Sequence, residues 1–226
     1  MFHDFLDLLY PRVCITCEAS LLKHENLLCT NCLHELPIAD FHLQKDNPVE
    51  KIFYGRIPVE NAISLLLFEK KGMVQKLVHN LKYRGQEEIG EFLGAWLGAE
   101  LSKNFAFNEV SAVLPVPLHK SKLKKRGYNQ VTSFGTEIAK ALKVPFYDDI
   151  LLKVSSSQTQ TLKKRISRWG KIEETFVLQR PEIIENSHVL LVDDLVTTGA
   201  TLEACAHKLL EAPGVKLSFA TMAVTH

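Results

Sequence analysis

"VLLVDDLVTTGAT", residues 189–201, decides how the rest of the chain is read. A short apolar run stops on two adjacent acids, Asp193 and Asp194. After Leu195 and Val196 come five small residues, Thr197, Thr198, Gly199, Ala200 and Thr201. A run of this kind, "HVLLV" at 188–192, predicts a strand buried on both faces. Leu202, Cys205 and Leu209 then recur at helical spacing and predict a helix over 200–211. Small residues feeding a helix let a ligand approach the backbone, and the outward N–H groups and helix dipole favour an anion, so the loop reads as a phosphate cradle. The carboxylates cannot serve the phosphate itself. They suit vicinal hydroxyls that donate to them, or a divalent cation. A phosphorylated ribose offers both the phosphate and the diol, whereas the bland alternative is a helix cap with solvated aspartates. Neither a P-loop nor a G-x-G-x-x-G pattern occurs.

The flanking segments set this strand in a sheet. "AISLLLFEKKG" at 62–72 reads as strand then turn, "VSAVLPVP" at 110–117 as a short strand, and "KLSFATMAV" at 216–224 as the last strand. Three further stretches carry the helical period: Val74, Leu77, Val78 and Leu81; Ile89, Phe92, Leu93, Trp96 and Leu97; and Val131, Phe134, Ile138 and Leu142. Strands alternating with helices imply a parallel, doubly wound α/β sheet, whose ligands sit beyond the carboxyl ends of the strands. Ahead of it, residues 3–9 read as a short helix and "LPIADFHLQKDNP" at 36–48 as a Pro-bounded linker. The expected division is therefore 1–48 and 49–226.

A hydrophobic share of 46% with 23% charged residues suits a globular chain with a proper core. The N-terminus has neither the charge nor the length of a signal peptide, and no apolar run reaches about 18 residues, so no membrane span and a cytoplasmic location are expected. The net charge of +1 conceals a segregation of sign. Residues 114–130 and 150–172 contain 11 of the 27 Lys and Arg and no Asp or Glu, leaving 16 basic against 26 acidic residues elsewhere. Both stretches read as basic loops, with Lys124, Lys125 and Arg126 in the first and Lys164, Arg165 and Arg168 in the second. Two basic segments that exclude acid point to an anionic ligand. Residues 155–172 of the second, rich in Ser and Thr, have the composition of a lid.

Four of the five cysteines form two C-x-x-C pairs, Cys14 with Cys17 and Cys29 with Cys32, separated by 11 residues. In a reducing compartment this spacing argues for one tetrahedral four-thiolate site, with Zn²⁺ its commonest occupant, rather than for disulfides. So small a segment cannot bury enough apolar area to fold alone, and the metal would be structural. His24 and His34 lie nearby, but four thiolates already complete the shell. Cys205, on the helical face of Leu202 and Leu209, reads as core packing.

The motif at 189–201 resembles the 5-phosphoribosyl-1-pyrophosphate (PRPP) signature of type I phosphoribosyltransferases. With the paired C-x-x-C motifs, "LKYRG" at 81–85, "PVPLHKSKLKKRGYNQ" at 115–130 and "QTQTLKKRISRW" at 158–169, nearly the whole chain resembles the ComF family of competence-associated proteins, which are related to amidophosphoribosyltransferase domains. The resemblance implies a type I phosphoribosyltransferase-like sheet behind a small N-terminal four-cysteine zinc knuckle. It implies that Asp193 and Asp194 contact the ribose hydroxyls, that Thr197, Thr198, Gly199, Ala200 and Thr201 hold the 5-phosphate, and that Pro115, Val116, Pro117, Leu118 and His119 form the pyrophosphate loop. It also implies Mg²⁺ bound with PRPP.

Two functions remain open at this level. The first is transfer of the phosphoribosyl group from PRPP, or a related phosphoribosyl compound, to a nitrogen nucleophile. The main catalytic task is then to stabilise departing pyrophosphate. The second is a non-catalytic accessory protein in DNA uptake that binds nucleotide or single-stranded DNA, its basic segments meeting phosphates while Tyr83, Tyr128 and Trp169 stack on bases. No motif in the chain encodes an acceptor, a general base or an oligomeric state.

Overall fold

The computed structural model describes residues 11–41, 46–154 and 175–225. The expected helix at 3–9 and the basic segment 155–172, with Lys164, Arg165 and Arg168, lie outside the described residues.

Four parallel strands make the central sheet: β1 (Asn61–Phe68), β2 (Ala112–Pro115), β5 (His188–Val196) and β6 (Lys216–Thr225), in the order β1-β6-β5-β2. Two antiparallel strands, β3 (Leu151–Val154) and β4 (Thr175–Leu178), pair apart from it. The helices are α1 (Thr30–His34), α2 (Pro48–Lys51), α3 (Met73–Tyr83), α4 (Glu88–Leu101), α5 (Lys120–Arg126), α6 (Thr132–Leu142) and α7 (Ala200–Leu209). Among the described residues no helix is long and apolar enough to cross a membrane.

The sheet is covered on both sides, which is why Val189, Leu190, Leu191 and Val192 can all be apolar: alternate residues enter opposite cores. Leu190 and Val192 pack with Leu77 and Leu81 of α3, Leu93 of α4 and Phe134 of α6. Val189 and Leu191 share a core with Phe53, with Ile150 next to β3 and Phe176 of β4, and with Leu202 and Cys205 of α7. Cys205 is fully buried there, as its spacing predicts. Helix α4 approaches α6 backbone to backbone, since a Cβ on Gly94 would lie 2.4 Å from the Phe134 carbonyl oxygen.

Three sequence expectations need correction. The segment 36–48 is not a free linker over its described part. Leu67 N–H donates to the Pro37 carbonyl at 2.8 Å and Ala39 N–H to the Leu65 carbonyl at 2.9 Å, so residues 37–39 cover the open edge of β1. The strand expected to end at Val192 continues to Val196, with Asp193 in register with Thr221 and Leu195 with Ala223. The first basic stretch is a helix rather than a loop: His119 caps α5 by accepting from Ser121 N–H at 3.2 Å, and Gly127 closes it at φ 89°.

Candidate functional site

Because Asp193 and Asp194 lie within β5, their side chains enter opposite faces of the sheet. Asp194, 4% exposed, faces α3 and the turn that precedes α6. Its Oδ1 accepts from Lys82 Nζ at 2.8 Å and its Oδ2 from Gln130 Nε2 at 2.6 Å. Asp193 lies on the face of Cys205 and of the small-residue loop, and its Oδ1 accepts the Asp194 N–H at 2.8 Å. Burial pushes the Asp193 carboxyl up to about 8, and the neighbouring Asp194 charge adds to the rise. The same burial raises the Cys205 thiol well above its ordinary range, leaving it an inert core group.

Thr197, Thr198, Gly199, Ala200 and Thr201 follow at the carboxyl end of β5 and run into α7. With Asp193 they line a hollow of about 40 Å³. Gly199 is at φ +74°, and a Cβ there would lie 2.7 Å from Ile52 Cγ2 and from Phe53 Cε1, so the turn needs glycine for both its dihedral and its neighbours. Arg56, from the turn after α2, donates to the Thr198 carbonyl at 2.7 Å and ion-pairs with Glu203 in the first turn of α7. Sequence reading missed Arg56, which stands 142 residues from its loop partner.

Pro115 ends β2, and Val116 N–H still bonds the Val192 carbonyl at 2.8 Å, which brings residues 115–119 beside the strand that carries the acids. Asn129 Nδ2 donates to the Val116 carbonyl at 3.0 Å and fixes the turn. His119 is spent as the cap of α5. At the other end of α5, Arg126 donates to Gln130 Oε1, and its guanidinium lies 5.6 Å from the centre of the Tyr83 ring. Tyr128 donates its hydroxyl to the Leu81 carbonyl. "LKYRG" and "KKRGYNQ", distant in sequence, thus close on each other over Asp194. Lys82 and Gln130 were visible in sequence only as members of those motifs. Lys124 and Lys125 stand on the exposed surface of α5.

Cys14, Cys17, Cys29 and Cys32 bring their sulfurs within 4.8 Å of one another, and Cys17 and Cys29 stand 3.7 Å apart. A tetrahedron with metal–sulfur bonds of about 2.3 Å has edges of about 3.8 Å, so the cluster fits zinc. The Cys32 thiol is held up at about 12: the Thr16 hydroxyl favours its thiolate, but burial and the crowded Cys17, Cys29 and Cys14 sulfurs outweigh it. That crowding is relieved when a cation neutralises the shell. Glu25 braces the second knuckle, accepting from Leu22 N–H at 2.8 Å, Thr30 N–H at 2.6 Å and the Thr30 hydroxyl at 2.7 Å. Those bonds hold its carboxyl at about 2.

Two family models define the class. One described as a phosphoribosyl transferase domain matches residues 107–225, and one described as a double zinc ribbon domain matches residues 5–42. Among relatives, Competence protein F of Haemophilus influenzae is 32% identical over 192 residues, covering 83% of this chain and 74% of that protein. Competence protein ComFC of Bacillus subtilis is 26% identical over 204 residues, covering 88% of this chain and 78% of the relative. DNA utilization protein YhgH of Escherichia coli is 23% identical over 201 residues, with 88% and 84% covered. The chain belongs to the ComF family of phosphoribosyltransferase-like proteins.

Proposed function

We propose that the protein binds PRPP with Mg²⁺ and transfers the phosphoribosyl group to a nitrogen nucleophile, releasing pyrophosphate. The observation that carries this reading is the Asp193 hollow closed by Thr197–Thr201 at the N-terminus of α7, with the second acid beside it. In the proposal Thr197 to Thr201 hold the 5-phosphate through backbone N–H groups and hydroxyls, and the two aspartates accept from the ribose hydroxyls. Residues Pro115 to His119 line the path of the diphosphate. Lys124, Lys125 and Arg126 of α5, with Lys164, Arg165 and Arg168 of the second basic segment, supply positive charge around it.

The carboxylate oxygens of Asp194 are engaged by Lys82 and Gln130 and one of Asp193 by backbone, so the pair is not a ready cation cage. Mg²⁺ fits as a companion of the substrate's phosphates, and when bound it neutralises charge on the departing pyrophosphate. The four-cysteine zinc is structural and takes no part in transfer, and the division at residue 48 separates its segment from the phosphoribosyltransferase-like one.

A second reading draws on the names of the relatives and on the exposed basic helix α5: a cytoplasmic accessory protein in competence that binds single-stranded DNA without turnover. Calorimetry separates the two. PRPP should bind only with Mg²⁺, and Asp193→Asn plus Asp194→Asn, shown folded by circular dichroism, should weaken it at least about a hundredfold. Lys125→Ala and Arg126→Ala should weaken PRPP more than ribose 5-phosphate. If those two variants lose only DNA affinity, with its salt slope reduced by about 0.7 per phosphate contact, the accessory reading replaces the enzyme.

A further inference from the structure

Resting on the PRPP-binding reading above, the geometry points to Lys82 as a substrate-binding residue, one that exchanges Asp194 for an oxygen of the substrate's diphosphate. The argument begins with the two faces of β5. PRPP carries one anion at the 5-position and a second at the anomeric carbon, on opposite sides of the ribose. The small-residue loop that suits the 5-phosphate lies with Asp193 on the face of α7. Lys82 reaches the strand from the other face, where its ammonium meets Asp194 at 2.8 Å. The anion within its reach is therefore the diphosphate.

The chemistry of the group agrees. An ammonium offers three donors and no acceptor, so it gains more from a phosphate oxygen than from a hydroxyl. Lys82 ends a flexible stem in the last turn of α3, and its side chain keeps 21% of its surface open while that of Asp194 keeps 6%. A ligand can thus reach the lysine more readily than the carboxylate. Asp194 is not abandoned when the lysine moves, because Gln130 Nε2 still donates to its other oxygen at 2.6 Å. A second cation stands ready beside the first: Arg126 lies over the ring of Tyr83, the residue after Lys82, and Gln130 ties it to Asp194. Asp194 in the unliganded site then stores Lys82 in position, and the substrate's higher charge draws it off.

The test uses the whole chain with its zinc bound and three probes, each with Mg²⁺: PRPP, inorganic pyrophosphate and ribose 5-phosphate. In Lys82→Met, PRPP and pyrophosphate affinities should fall on the order of tenfold to a hundredfold, while ribose 5-phosphate changes less than about threefold. Lys82→Arg should recover most of the loss, because it restores the charge, and its melting temperature reports whether the fold is kept. A lysine that merely braced Asp194 would move PRPP and ribose 5-phosphate together, and equal losses would overturn the inference. Unchanged PRPP and pyrophosphate affinity in a folded Lys82→Met overturns it too. If the wild-type protein binds PRPP and the double aspartate variant abolishes that binding, such a result sinks Lys82 alone. If the wild-type protein binds none of the three, the PRPP reading falls and takes this inference with it.

Discussion

The two aspartates should respond to the same substitution with very different costs, although they are neighbours in sequence. Asp194→Asn removes a charge that Lys82 meets at 2.8 Å, in a place where the carboxylate side chain is 6% exposed. Breaking a buried pair from one side costs about 3 to 5 kcal/mol, and the one-fifth exposure of Lys82 lowers the expectation to about 2 to 4 kcal/mol. Asp193 differs because burial, and then the Asp194 charge, raise its carboxyl to about 8. At pH 7 it is mostly protonated in the fold, and an amide replaces a neutral acid at a cost of about 1 kcal/mol or less. The sign of the pH effect follows from linkage. The folded value lies above the unfolded one, so the contribution of Asp193 is complete below about 4 and is lost as pH rises toward about 8. The wild-type protein should therefore lose up to about 1.4 kcal/mol per pH unit inside that window. Asp193→Asn should flatten the slope, and Asp194→Asn should reduce it by removing the second cause. His188, whose pKa burial lowers, and the zinc thiolates also make stability depend on pH, so the acid pair is read from the difference in slope between wild type and Asp193→Asn in urea unfolding between about pH 7 and 8, where those contributions cancel. Equal costs for the two variants, with the slope kept in Asp193→Asn, would refute this account.

Purified protein should contain one zinc per chain on Cys14, Cys17, Cys29 and Cys32, and strong chelation should unfold the N-terminal segment while much of the α/β part survives. Metal analysis with native thiol titration checks this, and four freely reactive thiols in zinc-free native protein would count against it. Gly199→Ala combines a left-handed dihedral costing about 1 to 2 kcal/mol with contacts to Ile52 and Phe53 that are too short, for a total of about 2 to 4 kcal/mol by urea unfolding. A cost under about 0.5 kcal/mol would mean that the loop relaxes freely.

The sheet was readable because residues 189–192 are apolar without interruption, a pattern that only burial on two faces maintains. The cysteine cluster was readable because metal geometry demands its spacing. The end of β5 was not, since two acids inside a strand resemble a strand terminus until Thr221 and Ala223 are seen pairing alongside. Helix α5 hid for a different reason: "KSKLKKR" has one apolar residue, so no periodicity marks it, and its caps decide. Lys82 and Gln130 could be singled out as motif members but not joined to Asp194, because pairings across 112 and 64 residues leave no local trace.

The same helix that presents Lys82 also holds the zinc ribbon. Six residues earlier in α3, about 9 Å along the axis, Lys76 donates to the Thr16 carbonyl at 2.6 Å, between the first two cysteines. Val74, Leu77, Val78 and Leu81 form the buried stripe of α3, in one core with Cys14, Leu27, Leu28, Cys32 and Leu36 of the ribbon. The ribbon is thus a wall of the α3 core, and the position of α3 sets where Lys82 meets Asp194. Packed interiors yield little and transmit strain, so a change in that wall is felt by the helix that packs against it. Where zinc holds the ribbon and α3 holds the lysine, the two sites share one element. Any coupling between them is reciprocal: whatever factor zinc lends to ligand affinity, the ligand returns to zinc.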